Sequence, residues 1–485
     1  MVHIRPLQFA AIVCGFAGLS SAQTGSPSEP FAVPGDIYVT DSVSDLIYRI
    51  VDVNMDGDGN DLGEVTVFYD DTLGAVPLGN NSNLSFGPTG VLYVTDSATN
   101  KIVRLIDING DGSCHDPTEA TVFFDGDPMV NASGIEMAAP AGVSIGTNQV
   151  VFVADSDSGG SGLDGILRLT DLNLDGDAND AGEAIRLYTP PGGTGGHSIP
   201  SDVIIGIDGK LYYVESSSTG LYAKGIYQLD DADNDDFIDP VTEVTQFFVP
   251  TPGGSLEFIW TLTQDAAGNI YTSDTGNDII WRVRDDNSDG VIANATEASA
   301  FLTAPGASLV WDVSVSADGT LICVEDQAPD RVLRMKDLNS DGVIDVFTEL
   351  ENVYNQAISA TSIGNVRGLT WERQPQLTVD ATTSPGSTAA FQVEATENDT
   401  VILYLSTGTT APVPLAPFGY SELAFVSPDT FLQVFSTFAP ILVPLAVNLP
   451  IPNDPSLSGL SFGFQALVGK PDRLQITNLQ ILNIL

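Results

Sequence analysis

Six aspartate-rich loops have the residue types and the spacing to bind metal ions. The first reads DVNMDGDGNDLGE over residues 52–64, and equivalent loops start at Asp107, Asp171, Asp231, Asp285 and Asp337. Every copy has Asp or Asn two residues after the first Asp, Asp four residues after it and Glu twelve residues after it. Ca²⁺ takes about six to eight oxygen ligands, and alternate side chains on a tightly turned loop converge on one point. The loops therefore predict calcium sites.

The charge of the loops supports the same interpretation. Of the chain's 64 acidic residues, 28 lie in these six segments. Carboxylates packed this closely repel one another unless a cation lies among them. The alternative is a solvated acidic turn that binds nothing, and six copies in register argue against it.

We predict up to six structural calcium ions, one for each loop. A glycine follows the third acidic position in five loops, and Asp236 takes its place in the fourth, which we expect to be the weakest site. The predicted ligands are Asp52, Asn54, Asp56, Asp58 and Glu64; Asp107, Asn109, Asp111 and Glu119; Asp171, Asn173, Asp175, Asp177 and Glu183; Asp231, Asp233, Asp235 and Glu243; Asp285, Asn287, Asp289 and Glu297; and Asp337, Asn339, Asp341 and Glu349.

The loops resemble the calcium loops of EF-hand and dockerin proteins. They differ in having the glutamate at loop position 13 rather than 12. They differ also in their surroundings, because strands rather than helices are predicted on both sides.

Six repeats of similar sequence must position these loops. Each repeat starts with a strand-like run and continues with a polar turn, a second strand, the loop and a third strand. The starting runs are 36–41, 91–96, 150–155, 210–215, 269–274 and 320–325. A repeat of about 50 to 60 residues built from such strands is typical of a propeller blade.

A fourth strand precedes five of the six starting runs, as at 84–87. The first run lacks one, and a spare strand of the same type, 368–371, follows the sixth repeat. We expect this late strand to complete the first blade, because ring closure removes an exposed sheet edge. The sequence thus predicts an all-β fold, a closed six-bladed propeller over residues 35–375.

The run YVTDSATNKIVR at residues 93–104 resembles the six-bladed propellers of the NHL-repeat and TolB-like type. The resemblance covers roughly residues 30 to 375. It implies the fold and no single function, since binders, lactonases and sugar dehydrogenases share this architecture.

An arginine stands three residues before five of the six loops. These are Arg49, Arg104, Arg168, Arg282 and Arg334, with Gln228 in the fourth copy. We expect each to make a structural ion pair or a cross-strand contact rather than to bind a ligand.

The starts of the innermost strands, opposite the loops, form the predicted mouth of the propeller. The candidate ligand-binding residues there are Asn83, His197, Asp202, Trp260, Trp311, Asp312 and Arg367. His197 is the one side chain of this set that could act as a base at neutral pH. No nucleophile motif accompanies it, so the set does not indicate a reaction. Ordinary polar lining of a tunnel is the alternative.

The two ends of the chain have different compositions from the repeats. Residues 1–22 read as a signal peptide, with Arg5, a short apolar stretch and a small-residue cleavage site, and residues 23–34 read as a linker. Residues 376–485 are sparsely charged and predict a β-sandwich. Their last part, GLSFGFQALV onward, resembles a tail domain of exported proteins from planctomycete-type bacteria.

The overall charge limits the partners. The formal net charge of −47 disfavours nucleic acid and anionic membranes and favours cations. Two cysteines, Cys114 and Cys323, remain after the predicted signal, in different repeats, and a disulfide between them is not favoured.

Our first hypothesis is therefore a secreted or cell-surface protein, stabilised by calcium, that binds a glycan, peptide or small molecule at the mouth without catalysis. The alternative is an enzyme working at the mouth, of the lactonase-type hydrolase or quinone-dependent sugar dehydrogenase class. The three residues Asn83, Asp202 and Asp312 discriminate between the two hypotheses. Their convergence on one point would favour an enzyme, and their separation by tryptophan side chains would favour a binder.

Overall fold

The structure is a computed structural model that describes residues 36–372 in detail. Within this range it leaves out Met55, Thr89, Thr147 and residues 157–163, 191–197, 218–222, 250–255, 293–296, 305–308 and 317–318. After residue 372 it describes strand backbone. The predicted signal peptide, the linker and His197 lie outside the described residues. Every described element is a β-strand. No helix among the described residues is long and apolar enough to cross a membrane.

The six repeats form six antiparallel sheets. Blade 1 contains β1 (Ile37–Asp41), β2 (Leu46–Ile50) and β3 (Val65–Asp70); blade 2 contains β4 (Asn81–Phe86), β5 (Leu92–Asp96), β6 (Lys101–Leu105) and β7 (Ala120–Asp125); blade 3 contains β8 (Pro140–Ile145), β9 (Val151–Asp155), β10 (Gly165–Leu169) and β11 (Ala184–Tyr188); blade 4 contains β12 (Pro200–Ile205), β13 (Leu211–Glu215), β14 (Gly225–Leu229) and β15 (Val244–Phe248); blade 5 contains β16 (Ile259–Gln264), β17 (Ile270–Asp274), β18 (Ile279–Val283) and β19 (Ala298–Thr303); blade 6 contains β20 (Val310–Val315), β21 (Leu321–Glu325), β22 (Arg331–Met335) and β23 (Leu350–Asn355).

A late strand closes the ring, as predicted. Strand β24 (Val366–Trp371) pairs antiparallel with β1, with Ile37 opposite Trp371, and completes blade 1. The innermost strands β24, β4, β8, β12, β16 and β20 each contact the next around the ring, and β20 contacts β24. The prediction of a closed six-bladed propeller is confirmed.

The innermost strands start earlier than the sequence predicted. Strand β4 begins at Asn81 rather than residue 84, and β8 and β12 begin at Pro140 and Pro200. Proline is tolerated as the first residue of a strand, although a proline in the sequence suggests a turn. The pairing register shifts between Asn81 and Asn83, which marks a β-bulge near the start of β4.

The core lies within and between the blades. In blade 1 the Tyr38 and Phe68 rings meet edge to face at 4.8 Å, and Phe86 of blade 2 lies 5.0 Å from the Tyr38 ring. Tyr93 and Phe123 repeat the first of these contacts in blade 2 at 5.1 Å. Aromatic residues at equivalent strand positions therefore pack the sheets against each other.

The remaining strands belong to a second compact unit after residue 372. They are β25 (Leu377–Val379), β26 (Thr382–Thr383), β27 (Thr388–Val393), β28 (Thr400–Ser406), β29 (Thr409–Pro414), β30 (Leu423–Val426), β31 (Phe431–Phe438), β32 (Leu445–Pro450), β33 (Ser461–Gly469), β34 (Leu474–Ile476) and β35 (Gln480–Ile484). One sheet has the order β25-β27-β32 and another the order β26-β35-β33-β28-β31. The β-sandwich stays a prediction for this region.

Candidate functional site

The predicted mouth residues fall into two layers. Asn83, Asp202 and Asp312 are the third residues of β4, β12 and β20, so they come from alternate blades. Trp260, Trp311 and Arg367 are the second residues of β16, β20 and β24, three consecutive blades of the ring. The two sets have different partners.

The layer of Asn83, Asp202 and Asp312 ties neighbouring blades together. Asp202 Oδ2 accepts the backbone N–H of Leu262 in blade 5 at 2.7 Å. In the same way, Asp312 Oδ2 accepts the N–H of Leu369 in blade 1 at 2.8 Å. Asn83 Oδ1 accepts the N–H of Val143 in blade 3 at 3.2 Å. The three side chains thus link the blades in pairs: 2 with 3, 4 with 5, and 6 with 1.

Small residues on the receiving blades allow neighbouring innermost strands to approach closely. The third residues there are Gly142, Thr261 and Gly368. A Cβ at Gly142 would overlap Asp202 Oδ1, and a Cβ at Gly368 would approach the Ser82 carbonyl to 2.8 Å. Glycine is required at both positions by this close approach.

The same layer lines a central cavity of about 230 Å³. A ring of hydroxyl groups continues the lining, contributed by Ser85, Ser144, Thr263, Ser314 and Thr370. Ile207, beyond the end of β12, also lines the cavity, so the cavity extends from the carboxylate layer toward the face that carries the aspartate loops. None of the described lining residues is Lys, Arg or His.

The two aspartates of this layer hold protons unusually tightly. Burial, and then the nearby Asp312 carboxylate, raise the pKa of Asp202 well above its usual range. Burial also raises the pKa of Asp312 to about 7, against the opposing effect of the hydrogen bond from Leu369. The pair therefore keeps a proton at pH values where exposed aspartates have lost theirs.

The other layer is an aromatic cluster, here called the aromatic arc, of Phe258, Trp260, Trp311 and Arg367. The two indole rings meet edge to face with centroids 5.7 Å apart. Phe258 stacks on Trp260 at 5.1 Å, with 16° between the planes. The Arg367 guanidinium lies over the Trp311 ring, 3.9 Å from its centroid. Both indoles are partly exposed, so they can offer apolar surface to a ligand.

Polar contacts fix the arginine of the aromatic arc. Arg367 Nη2 pairs with Asp326 Oδ2 at 2.9 Å, and its Nε donates to Asn365 Oδ1 at 2.8 Å. Asn365 Nδ2 donates to Asp326 Oδ1 at 2.9 Å, which completes a triangle of contacts. The guanidinium is therefore held in one orientation over Trp311.

A buried carboxyl lies next to this triangle. Asp330 is 3% exposed, and its Oδ2 has no hydrogen-bond partner among the described residues. Burial and the neighbouring Asp326 carboxylate raise the pKa of Asp330 to about 6.

Sequence reasoning missed Phe258, Asp326, Asp330 and Asn365. The available signals were the position of Phe258 two residues before Trp260 and the acidic turn after β21.

Acidic residues at the ends of β1, β5, β9, β13 and β17 accept hydrogen bonds from the backbone of nearby loops. Asp96 accepts backbone N–H groups from Gly79, Asn80, Ala98 and Thr99 at 3.0 to 3.3 Å. Equivalent buried residues make similar loop contacts: Asp41, Asp155, Glu215 and Asp274. Their carboxylates clamp the loops of the mouth face.

The loop glutamates organise the loop backbone. Glu64 Oε1 accepts the N–H of Val53 at 3.0 Å, and its Oε2 accepts the N–H of Asp61 at 2.9 Å. Glu119, Glu183, Glu243 and Glu349 make equivalent contacts. The carboxylate oxygens that were predicted to bind calcium are therefore already used as acceptors of backbone hydrogen bonds.

The earlier loop positions bring oxygens together. Asp231, Asp233 and Asp235 each offer a carboxylate oxygen, all within 4.8 Å of one another. In the first loop, Asn54 Nδ2 donates to Asp56 Oδ2 at 3.0 Å and to Asp61 Oδ2 at 2.6 Å. The side chains at positions 1, 3 and 5 of the fourth loop thus converge, and in the first loop the Asn54 amide links the carboxylates of positions 5 and 10.

Asp236 adopts the left-handed backbone conformation that glycine has at this position in the other loops. Its φ is 68°, and the corresponding Gly57 and Gly176 have φ values of 104° and 101°. Aspartate tolerates this region better than most side chains, because its short carboxylate can bond locally. The fourth loop therefore keeps the same turn.

Each loop also binds the preceding blade. The N–H of the eighth loop residue donates to a carbonyl of the neighbouring outer strand. The six pairs are Gly59 to Val353, Cys114 to Phe68, Ala178 to Phe123, Ile238 to Leu187, Ile292 to Phe247 and Ile344 to Phe301, all at 2.7 to 2.8 Å. The loops therefore join all six blades into what we call the loop belt.

The arginines that precede the loops reinforce the loop belt. They reach the sixth residue of the next loop, and two of them also make an ion pair within their own blade, Arg49 with Asp36 and Arg334 with Glu351. The contacts are Arg104 Nη1 to the Gly176 carbonyl at 3.1 Å, Arg168 Nη1 to Asp236 Oδ1 at 2.7 Å and Arg334 Nη2 to the Gly57 carbonyl at 3.1 Å, with Arg49 and Arg282 against Gly112 and Gly342.

Neither a known protein family nor a curated protein matches the sequence. Solved structures with a similar fold include virginiamycin B lyase from Staphylococcus aureus, 19% identical, covering 74% of this chain and 88% of that one with a TM-score of 0.41. A gluconolactonase from Xanthomonas campestris is 14% identical, covering 77% of this chain and 95% of that one with a TM-score of 0.41. These similarities concern the propeller fold alone.

Proposed function

We propose that this protein binds a small molecule with a ring-shaped apolar face, such as a sugar, at the aromatic arc. The carrying observation is the pair Trp260 and Trp311, whose rings meet at 5.7 Å on neighbouring blades. Aromatic faces next to fixed polar groups suit sugar rings, which present apolar faces and hydroxyl edges. Arg367, held by Asp326 and Asn365, supplies such a polar group.

The arc supports binding because its polar parts are pre-organised. Ordering a long side chain on binding costs about 0.5–1.5 kcal/mol. The Arg367 side chain is already held by two partners and by the Trp311 ring. Little of that cost then falls on the ligand.

The variant Trp260→Ala/Trp311→Ala tests this function. A panel of sugars and lactones is titrated against the full-length protein by calorimetry, and the double variant should lose binding of any ligand found. Trp281→Ala is the matched control, because Trp281 lies in β18 against Phe248 rather than in the arc. Normal binding by the double variant would exclude the arc as the site.

We also propose that the loops hold structural calcium in a protein that works outside the cell. The convergence of Asp231, Asp233 and Asp235 and the joining of blades by the loops support this role. We expect up to six ions, the fourth loop being the weakest. Elemental analysis after dialysis against millimolar calcium tests the stoichiometry. Protein without bound calcium would refute the proposal.

A second candidate function is hydrolysis of a ligand bound at the arc, and Asp330 favours it. A general base works best with a pKa near the operating pH, and burial brings the pKa of Asp330 to about 6. Lactones are the first substrates to screen. Sugars together with an electron acceptor test for dehydrogenase activity. Asp330→Asn should lower kcat while ligand affinity stays within a few-fold. Unchanged turnover in this variant would remove Asp330 from the mechanism.

A further inference from the structure

Large apolar side chains are exposed on the face that carries the aspartate loops. Leu62, Val241 and Phe347 occupy the eleventh position of three loops and are 89%, 86% and 92% exposed. The second loop position is aliphatic and exposed in four loops, at Val53, Ile108, Leu172 and Leu338. Leu174, Phe237 and Val343 add to this set. We call this surface the loop face.

The most exposed of these side chains contribute little to packing the propeller. The residue that anchors each loop is the eighth, which is buried as Cys114, Ala178, Ile238, Ile292 and Ile344. The second and eleventh positions instead point into solvent, where apolar surface is costly. Exposed apolar side chains recur at the same positions of several loops, next to carboxylates, so this face offers both apolar and charged groups to a partner.

The charge of the loop face is predominantly negative. The six loops contain 28 acidic residues and no Lys or Arg. Six bound calcium ions would contribute a charge of about +12, so the loops would stay strongly negative even when saturated. A partner must therefore be cationic in both the calcium-bound and the calcium-free protein.

We propose that the loop face is a docking surface for a basic polypeptide segment that also carries apolar side chains. Simple cations would neutralise the charge but would leave the exposed leucine, valine and phenylalanine side chains in water. A second copy of this chain would meet the same negative charge. A Lys- or Arg-rich segment with interspersed aliphatic residues would pair with the carboxylates and also cover the apolar side chains.

Two synthetic peptides and two triple variants test the proposal. One peptide alternates Lys and Leu, and the other alternates Lys and Ser at the same length and charge. Binding to the full-length protein is followed by fluorescence anisotropy, with calcium and with chelator. The Lys-Leu peptide should bind about tenfold or more tightly than the Lys-Ser peptide, and more weakly as salt rises.

The variant Leu62→Ser/Val241→Ser/Phe347→Ser should lose about tenfold or more in affinity for the Lys-Leu peptide. The control Leu73→Ser/Met129→Ser/Ile358→Ser removes apolar groups that are 65%, 89% and 68% exposed from loops on the opposite face and should bind normally. Equal binding by the two triple variants would overturn the proposal. So would calcium-dependent binding to phosphatidylserine vesicles without discrimination between the two peptides. Both variants change exposed residues, so folding is checked by their melting temperatures.

Discussion

Arg334 Nη2 donates a hydrogen bond to the backbone carbonyl of Gly57 at 3.1 Å, across 277 residues of sequence. The contact joins the last blade to the loop of the first. It closes the loop belt on one face of the propeller, while the pairing of β24 with β1 closes the ring at the axis. Gln228, the residue at the equivalent position of blade 4, instead bonds within its own blade, to Tyr212.

The loop belt predicts that Arg334 stabilises the whole ring. Arg334→Gln introduces the residue found in blade 4 and removes a buried charge that also pairs with Glu351 at 2.6 Å. We expect the free energy of unfolding to fall by about 1–3 kcal/mol, measured by urea denaturation. Arg284→Gln is the control, because its pair with Asp286 is exposed and should contribute less than about 1 kcal/mol. Equal losses would show that the belt contact has no special role.

The proposed calcium ions would make the stability of the propeller depend on calcium concentration. An ion that binds only the folded protein stabilises it by RT ln(1 + [L]/Kd), about 2.7 kcal/mol per site at a hundredfold excess over Kd. Since each loop holds two neighbouring blades together, chelation should lower the melting temperature strongly and cooperatively. Scanning calorimetry with calcium and with EGTA measures the shift. An unchanged melt would exclude the structural role.

The propeller was predictable because its signals are local. Strand periodicity, turn composition and the repeated loops lie within single repeats, and the spare strand ending at Trp371 showed where the ring closes. The two layers of the mouth were not predictable in the same way. A β-bulge between the first and third residues of β4 changes the alternation of side chains, and the shift recurs in β12 and β20. Trp311 and Asp312 are adjacent in sequence, yet they have different partners.

The role of the loop glutamates was also hidden from the sequence. Spacing alone suggested that Glu64 closes a metal site, since a distal glutamate can supply two oxygens. The structure gives its carboxylate oxygens to the backbone N–H groups of Val53, Asn54 and Asp61. Such hydrogen bonds depend on the path of the folded loop, which residue types do not specify.

Ring closure can be tested with two truncations. Deleting everything after Asn365 removes β24, including the buried Val366, Leu369 and Trp371. Each such side chain contributes about 1.5–3 kcal/mol when buried, and β1 would become an exposed edge. We expect the melting temperature to drop by about 10 °C or more. Truncation after Gln374 also removes the second unit but keeps β24, and should leave the propeller folded. Equal stability of the two products would contradict closure by β24.

The carboxylate layer predicts an unusual pH dependence of stability. Because burial raises the pKa of Asp312 to about 7, from an ordinary value of 3.8, the folded state holds a proton that the unfolded state has released between these two pH values. The free energy of unfolding should therefore fall as pH rises from about 4 to about 7, and the contribution of this group should level off above that. Asp312→Asn still offers an oxygen to the Leu369 N–H but cannot titrate, so its stability should decline less over the same range. Ser314→Ala, which changes the cavity lining without a titratable group, should follow the wild type. Urea denaturation of the three proteins at pH 4, 5.5 and 7.5 makes the comparison, and parallel curves for wild type and Asp312→Asn would show that Asp312 is ionised in the folded protein throughout.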